Sequence, residues 1–436
     1  MKKYIHIPSL IIALISILFS CNQQIPEKPN VILIMADDMG YECLSINGTT
    51  EYDTPVLDQL AQTGINVSHC ISQPLCTPSR VKIMTGLYNY RNYEAFEYLN
   101  PDSYTFGQLM KDAGYHTAIA GKWQLNGRHA KKEGWQDLNR PFHFGFDEYC
   151  LWQVTKGRQE GERYADPLIY KNAMEMKGLE DAYGPDIFTD FILDFIQKHK
   201  DEPFFIYYPM VLVHEPFVPT PDSEEWADPS GRNERDTSYF EDMVEYTDKI
   251  VGKIVAKLDV TGNMDNTLLI FTGDNGTDVH IYTDMIEGTY RGGKGKPSDP
   301  GTRVPLVISW PAVIEKPLFY NGLVEFSDFF ATLADITDQE QSSEGKSFLP
   351  LLTGESNLHR KTAFVHYDPR WGRFEKARFI RTLTYKLYED GRFYDMLKDP
   401  REKEPLDTTN LSLIEKETLE MLKNELAEHP TGKLVE

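Results

Sequence analysis

Short apolar runs separated by helical stripes set the organisation of this chain. Residues 31–35 are five consecutive apolar positions, the pattern of a strand buried on both faces. Comparable runs at 117–120, 204–208, 268–271 and 306–310 predict further buried strands. Helical spacing fills the intervals. Thr54-Pro55 opens a helix with Leu57, Leu60 and Ala61 on one face and Gly64 at its end. Thr105 caps another, with Phe106, Leu109 and Met110 inward and Gly114 beyond. Asp186 starts a third, striped by Phe188, Phe191, Ile192 and Phe195. The clearest covers 239–258, with Phe240, Met243, Val244, Ile250, Val251, Ile254 and Leu258 inward and Gly262 after it. The alternation is that of an α/β protein.

Two stretches break the pattern. Residues 126–185 show little periodicity but carry Trp135, Phe142, Phe144, Phe146, Tyr149, Trp152 and Tyr164, interleaved with Arg128, Arg158 and Arg163. A long irregular stretch in a compact domain is usually functional or disordered, and the aromatics argue against disorder. The expectation is a set of substrate-binding loops with aromatic faces for sugar rings. From about Ser347 shorter runs appear, at 362–367, 377–383, 386–388 and 392–394, predicting an antiparallel sheet closed by a helix at 413–427.

The amino terminus reads as a targeting segment. Lys2 and Lys3 precede an apolar stretch at 10–19, too short for a stable membrane anchor. Leu18-Phe19-Ser20-Cys21 resembles a bacterial lipobox, which implies cleavage before Cys21 and lipidation of that cysteine. The expected division is a lipoprotein signal peptide over 1–20, a tether over 21–28, a catalytic domain over 29–346 and a C-terminal subdomain over 347–436. The expected location is the periplasm or outer-membrane surface of a Gram-negative bacterium, with the membrane contacted through the lipid.

The formal net charge of −22 argues against a nucleic-acid partner. It also repels anionic ligands at long range, so any anion must be captured by a local basic cluster. The cysteine count of five is low for a disulfide scaffold. With Cys21 and Cys76 assigned to other roles, Cys43, Cys70 and Cys150 allow at most one bridge.

Chemistry-bearing residues recur at the ends of the predicted strands, where open α/β sheets place their ligands. Asp37 and Asp38 follow the first strand, Lys122 the second, His214 the third, and Asp274-Asn275-Gly276 the fourth. Asp37, Asp38, Asp274 and Asn275 make four hard oxygen ligands, a set suited to Ca²⁺ or Mg²⁺ and not to zinc. Cys76-Thr77-Pro78-Ser79-Arg80 then supplies a reactive residue at a helix start. Pro78 fits the first turn, the helix amino end favours an anion, and Arg80 offers a planar fork of donors.

This pentapeptide resembles the signature of the formylglycine-dependent sulfatases, type I arylsulfatase-like members of the alkaline phosphatase superfamily. The resemblance implies that a formylglycine-generating maturation enzyme oxidises Cys76 to 3-oxoalanine (formylglycine), whose hydrate is the nucleophile. It further implies Ca²⁺ at Asp37, Asp38, Asp274 and Asn275, and Arg80, Lys122 and Lys294 around the sulfate. His214, in His214-Glu215-Pro216-Phe217, would assist departure of the alcohol. The fold implied is alkaline-phosphatase-like, a large mixed, mostly parallel sheet flanked by helices, with a smaller C-terminal α+β subdomain. Phe393-Tyr394-Asp395-Met396 and Asp399-Pro400-Arg401-Glu402 resemble the family's C-terminal part.

Three positions depart from the family pattern. Leu87 stands where arginine is usual. Asp299-Pro300-Gly301 replaces the usual Glu-Gly-Gly before the strand that follows Lys294. Gln124 replaces the histidine of Gly-Lys-Trp-His-Leu, and an amide cannot take up a proton at ordinary pH. The expectation is that Gln124 binds substrate or nucleophile, with His280 and His69 as candidates for the missing base. The function implied is hydrolysis of sulfate esters, on a sulfated carbohydrate. The alternatives are a phosphodiesterase or phosphonate monoester hydrolase of the same superfamily, or an inactive lipid-tethered sulfoglycan-binding protein.

Overall fold

The computed structural model describes Pro26 and residues 28–431. The expected signal peptide, Cys21 and most of the tether lie outside the described residues. Among the described residues no helix is long and apolar enough to cross a membrane.

The strands, in chain order, are β1 (Asn30–Ala36), β2 (Ile65–Ile71), β3 (His116–Lys122), β4 (Glu148–Trp152), β5 (Ile169–Lys171), β6 (Met174–Glu175), β7 (Phe204–Pro209), β8 (Thr267–Gly273), β9 (Tyr282–Thr283), β10 (Tyr290–Arg291), β11 (Arg303–Ser309) and β12 (Leu318–Glu325). All but the β9–β10 ribbon form one ten-stranded sheet, in the order β12-β2-β11-β8-β1-β7-β3-β4-β5-β6. β1 lies at its centre, parallel to β7 and β8, with Val31 opposite both Phe205 and Leu268. β11 runs antiparallel between β8 and β2. β1, β2, β3, β4, β7 and β8 therefore end on one edge, and β11 enters from it. Every residue of β1 and β8 is buried, as their unbroken apolar runs require.

Helices cover both faces. On one side the apolar stripes of Pro55–Thr63, Gly184–Lys198 and Tyr239–Thr261 pack on the sheet. On the other, Cys76–Thr85, Phe106–Asp112 and Ser327–Ile336 do the same. All ten residues of Cys76–Thr85 are buried, so this helix is fixed from every direction.

Residues 126–185 follow expectation only in part: His129, Trp152, Gln153, Arg158 and Arg163 line the main pocket, but most of the aromatics do not. The stretch contributes β4, β5 and β6, which extend the sheet at one edge. Phe144, Phe146, Tyr149 and Tyr164 pack into the cores and do not face a ligand; of the aromatics in this stretch only Trp152 lines the main pocket. Strands of two to five residues leave too few positions for a period to show in sequence.

The C-terminal sheet is antiparallel, β13 (Ala363–Tyr367), β14 (Ala377–Arg381), β15 (Tyr385–Tyr388) and β16 (Phe393–Asp395) in that order, as expected. One face is closed by Leu419, Leu422 and Leu426 of the helix Leu413–Glu428. The other face packs on Ile71, Leu75 and Leu323, so the subdomain rests against the segment that leads into Cys76.

Candidate active site

The strand ends deliver their polar side chains to one pocket of about 600 Å³, lined by Cys76, Lys122, Gln124, His214 and Lys294 among others. Cys76 is the first residue of its helix, directly after the extended Leu75. Burial pushes its thiol above the usual range, against the pull of Lys122. Lys122 is held by close contact between β3 and β7. Gly121 has φ +106°, and a Cβ there would sit 2.1 Å from the Pro209 carbonyl oxygen, so only glycine fits.

Three carboxylates and an amide meet beside Cys76. Lys122 Nζ donates to both oxygens of Asp37, at 2.9 and 2.7 Å. Lys294 Nζ donates to Asp38 Oδ2, and Asn275 Nδ2 donates to Asp38 Oδ1 at 2.8 Å. Asp274 Oδ1 accepts from the Asp38 backbone N–H at 3.0 Å. Asp274 Oδ2 and Asn275 Oδ1 are buried with no hydrogen-bond partner among the described residues. Burial, together with Asp37 and Asp38, holds the Asp274 carboxyl well above the usual carboxylate range. Burial also raises Asp38, more than the nearby Lys294 lowers it. Burial opposes the charge on Asp37 too, but Lys122, Arg80, Arg163 and Lys294 together hold it ionised below the ordinary range. Oxygens of Asp37 and Asp274 and the Cys76 sulfur lie within 4.8 Å of one another. Crowded, partly orphaned oxygen ligands fit a hard divalent cation, which would relieve their mutual repulsion.

Buried cations and a histidine border this cluster. Arg80 Nη1 donates to the Lys122 and Trp123 carbonyls, at 2.8 and 2.9 Å, while its Nε and Nη2 are buried and without partner among the described residues. Arg163 stacks 4.1 Å over the Trp152 ring, with Nη1 3.9 Å from Asp37 Oδ2. His214 Nδ1 lies 2.8 Å from the Glu215 carbonyl oxygen, which only accepts, so Nδ1 carries the proton. Its Nε2 therefore accepts, from Lys294 Nζ at 3.0 Å. Burial, and then Lys294, Lys122 and Arg163, hold the ring far below its usual range and neutral.

Against this geometry stand the comparisons with known proteins. The family model described as Sulfatase matches residues 29–339. The chain belongs to the sulfatase family. A second model, N-sulphoglucosamine sulphohydrolase, C-terminal, matches residues 297–430 of this sulfatase. An N-acetylgalactosamine-6-O-sulfatase of Bacteroides thetaiotaomicron is 29% identical, over 89% of this chain and 93% of that protein. Among solved structures, one concerning metabolism of multiple glycosaminoglycans by B. thetaiotaomicron superposes with a TM-score of 0.74 at 25% identity, covering 92% of this chain and 99% of that one. Another, solved in complex with its substrate D-glucosamine-2-N,6-O-disulfate, gives 0.74 at 22% identity over 93% and 99%. The sulfatase thus has the large mixed sheet and small antiparallel subdomain of the alkaline-phosphatase-like fold.

Nine of the ten site residues read from the sequence within the described chain gather in the pocket or in the acidic cluster at its floor. Arg80 is buried just behind, reached through the Lys122 backbone. Of the two histidines considered as bases, His280 lines the pocket, with Nδ1 2.8 Å from Asp278 Oδ1. His69 lies elsewhere: its ring meets Ser68, and burial with Arg303 and Arg381 holds it down at about 3. The sulfatase also places residues in the pocket that no motif marked, namely Phe96, Glu97, Gln153, Trp371 and Phe374. Arg163 was visible only as one basic residue in an irregular stretch.

Proposed function

We propose that this exported sulfatase removes sulfate from a sugar, with the pocket around Cys76 as its active site. The observation that carries this reading is the convergence on one pocket of Cys76, Lys122, Lys294 and His214 with the oxygen ligands Asp37, Asp38, Asp274 and Asn275. The sugar substrate is supported by the relative named N-acetylgalactosamine-6-O-sulfatase and by the neighbour solved with D-glucosamine-2-N,6-O-disulfate. Cys76 would carry the formylglycine made by a maturation enzyme, and that group would supply, as its hydrate, the nucleophilic hydroxyl. Asp37, Asp38, Asp274 and Asn275 would hold Ca²⁺, with Mg²⁺ the alternative, and the ion would supply Lewis acidity toward a sulfate oxygen.

The protein's own groups do the rest. Lys122, Lys294 and Arg163 present fixed positive charge to the sulfate oxygens, with Arg80 buried behind them adding to the field, inside a pocket where that charge needs no reorganisation. His214 Nε2 accepts from the Lys294 ammonium and its Nδ1–H is held by the Glu215 carbonyl, so His214 assists departure of the alcohol by orienting Lys294, whose N–H donates to the leaving oxygen. Gln124 Oε1 lies 3.9 Å from Cys76 Sγ and takes its S–H as a weak donor; toward the nucleophile it acts as a hydrogen-bond acceptor, never as a base. At the amino terminus, Leu18 to Cys21 fit a lipid anchor that would hold the enzyme in the periplasm or at the outer-membrane surface.

Peptide mass spectrometry over residues 70–91 of enzyme from the native host tests the reading. The expected result is formylglycine at position 76, with 4-nitrophenyl sulfate hydrolysed faster than 4-nitrophenyl phosphate. Unmodified cysteine in active enzyme, or preference for the phosphate, overturns it.

A further inference from the structure

One wall of the pocket is built to accept hydrogen bonds. Glu97, Gln124 and Gln153 come from three separate segments, and all three take left-handed backbone, with φ of 61°, 49° and 58°. Strained backbone of this kind persists only where its surroundings enforce it, and it gathers at functional sites. The Gln124 N–H donates to the Gln153 carbonyl at 3.2 Å. Both side-chain amides donate Nε2 to a single atom, Glu97 Oε1, at 3.0 Å each.

That convergence fixes the amides chemically. A carboxylate oxygen only accepts, so each glutamine must turn its nitrogen toward Glu97 and its oxygen away. Gln124 Oε1 then faces Cys76. Gln153 Oε1 is buried with no hydrogen-bond partner among the described residues, in a residue only 8% exposed. A buried acceptor left without a donor is rare in native proteins, and here it borders the pocket.

We propose that Glu97, Gln124 and Gln153 form a donor-reading subsite, which binds a hydroxyl or acylamino N–H of the sugar ring that carries the sulfate ester. The inference rests on the sugar-sulfatase reading above. The pocket is divided accordingly. Lys122, Lys294 and Arg163 offer donors to the ester oxygens, while this wall turns the acceptors Gln124 Oε1, Gln153 Oε1 and the Glu97 carboxyl toward the sugar ring. Because Gln124 stands next to Cys76, the group read lies on the carbon beside the sulfated one or one further along the ring. A second sulfate at that position would set an anion against Glu97, so the subsite also excludes rings that are doubly sulfated there.

The test is a substrate–enzyme cycle on the metal-loaded, formylglycine-bearing enzyme. Probes are N-acetylgalactosamine 6-sulfate, N-acetylglucosamine 6-sulfate and galactose 3-sulfate, with the best of these also made as single-deoxy derivatives, and 4-nitrophenyl sulfate, which has no donor. Deleting one particular ring donor should lower wild-type kcat/KM about 10- to 100-fold. In Gln153→Leu the same deletion should change kcat/KM by less than about threefold, because the acceptor is already gone. Glu97→Gln should behave likewise, since a glutamine there donates as well as accepts and frees both amides to rotate. A deoxy series that is flat in wild type, or that falls equally in wild type and both variants, overturns the subsite and leaves the sugar-sulfatase reading standing. Release of sulfate from 4-nitrophenyl sulfate but from none of the sugars overturns the sugar reading, and the subsite with it.

Discussion

The site holds its side chains on strained backbone. Asp38 shares the left-handed conformation of Glu97, Gln124 and Gln153, with φ 63°, and a non-glycine residue there costs of order 1–3 kcal/mol. Gln124→Ala removes the acceptor facing Cys76 and one of the two donors to Glu97 Oε1. Turnover should fall about tenfold or more, by the worth of one or two hydrogen bonds, while peptide mass spectrometry still finds position 76 converted. The acidic cluster makes a second prediction. Asp274→Ala removes an orphaned oxygen and should abolish both bound metal, read by plasma emission spectrometry, and activity. Asn275→Ala should weaken the metal less, because it removes a neutral ligand. Asp37→Ala does further damage, since it strands the buried Lys122 ammonium, and should cost about 3–5 kcal/mol in urea unfolding besides activity. The acidic cluster was legible in sequence because Asp37, Asp38, Asp274 and Asn275 follow unbroken apolar runs, where strand ends are plain. Glu97, Gln153 and Arg163 were not. They stand in loops whose course is fixed by packing across the pocket, and nothing local marks them.

The loop from Tyr290 to Arg303 shows how a departure from family pattern is accommodated. Asp299, in the Asp-Pro-Gly turn, is buried and pairs with Arg381 of β14. Burial opposes the charge on Asp299, but Arg381 and then Lys386 hold its carboxyl below the usual range. Gly301 closes the turn so tightly that a Cβ would lie 2.0 Å from the Lys296 carbonyl oxygen. Lys386 donates to the Pro297 carbonyl at 2.7 Å and to Glu402 at 2.8 Å. The C-terminal sheet thus clamps the loop that carries Lys294, and it also brings Trp371 to stack on Phe96 at 4.2 Å on the pocket rim. Arg381→Ala leaves Asp299 buried and unpaired, which should cost about 3–5 kcal/mol in urea unfolding. With Lys294 released from its register, KM should rise as well, although Arg381 touches no substrate. Loss of stability with KM unchanged would show that the loop keeps its place without the clamp. The antiparallel sheet was legible from its short alternating runs, whereas this clamp was not, because its partners are 82 residues apart in the chain.

At the scale of the whole molecule, a formal charge of −22 surrounds a pocket that gathers Lys122, Lys294, Arg158 and Arg163. Most acids serve the solvated surface, but Glu42 does not. It follows β1 in a short helical turn, is 1% exposed, and both carboxyl oxygens are buried. The carboxyl folds over Gly40, where a Cβ would lie 2.3 Å from Oε2. Burial raises its pKa from the ordinary 4.5 to about 7, and neither the Thr277 hydroxyl nor the more distant charge of Arg303 offsets it. The folded enzyme therefore binds this proton more tightly than the unfolded chain between about pH 4.5 and 7, so the contribution of Glu42 to stability falls as pH rises through that window. At ~1.4 kcal/mol for each unit, the fall is of order 3 kcal/mol by pH 8. Glu42→Gln keeps the shape and removes the charge. Its Tm should exceed that of wild type at pH 8 and converge with it near pH 4.5, and urea midpoints across the same range should flatten in the variant. Parallel wild-type and variant curves would mean that water or a cation reaches the Glu42 carboxyl and that it is ionised at no cost to the fold.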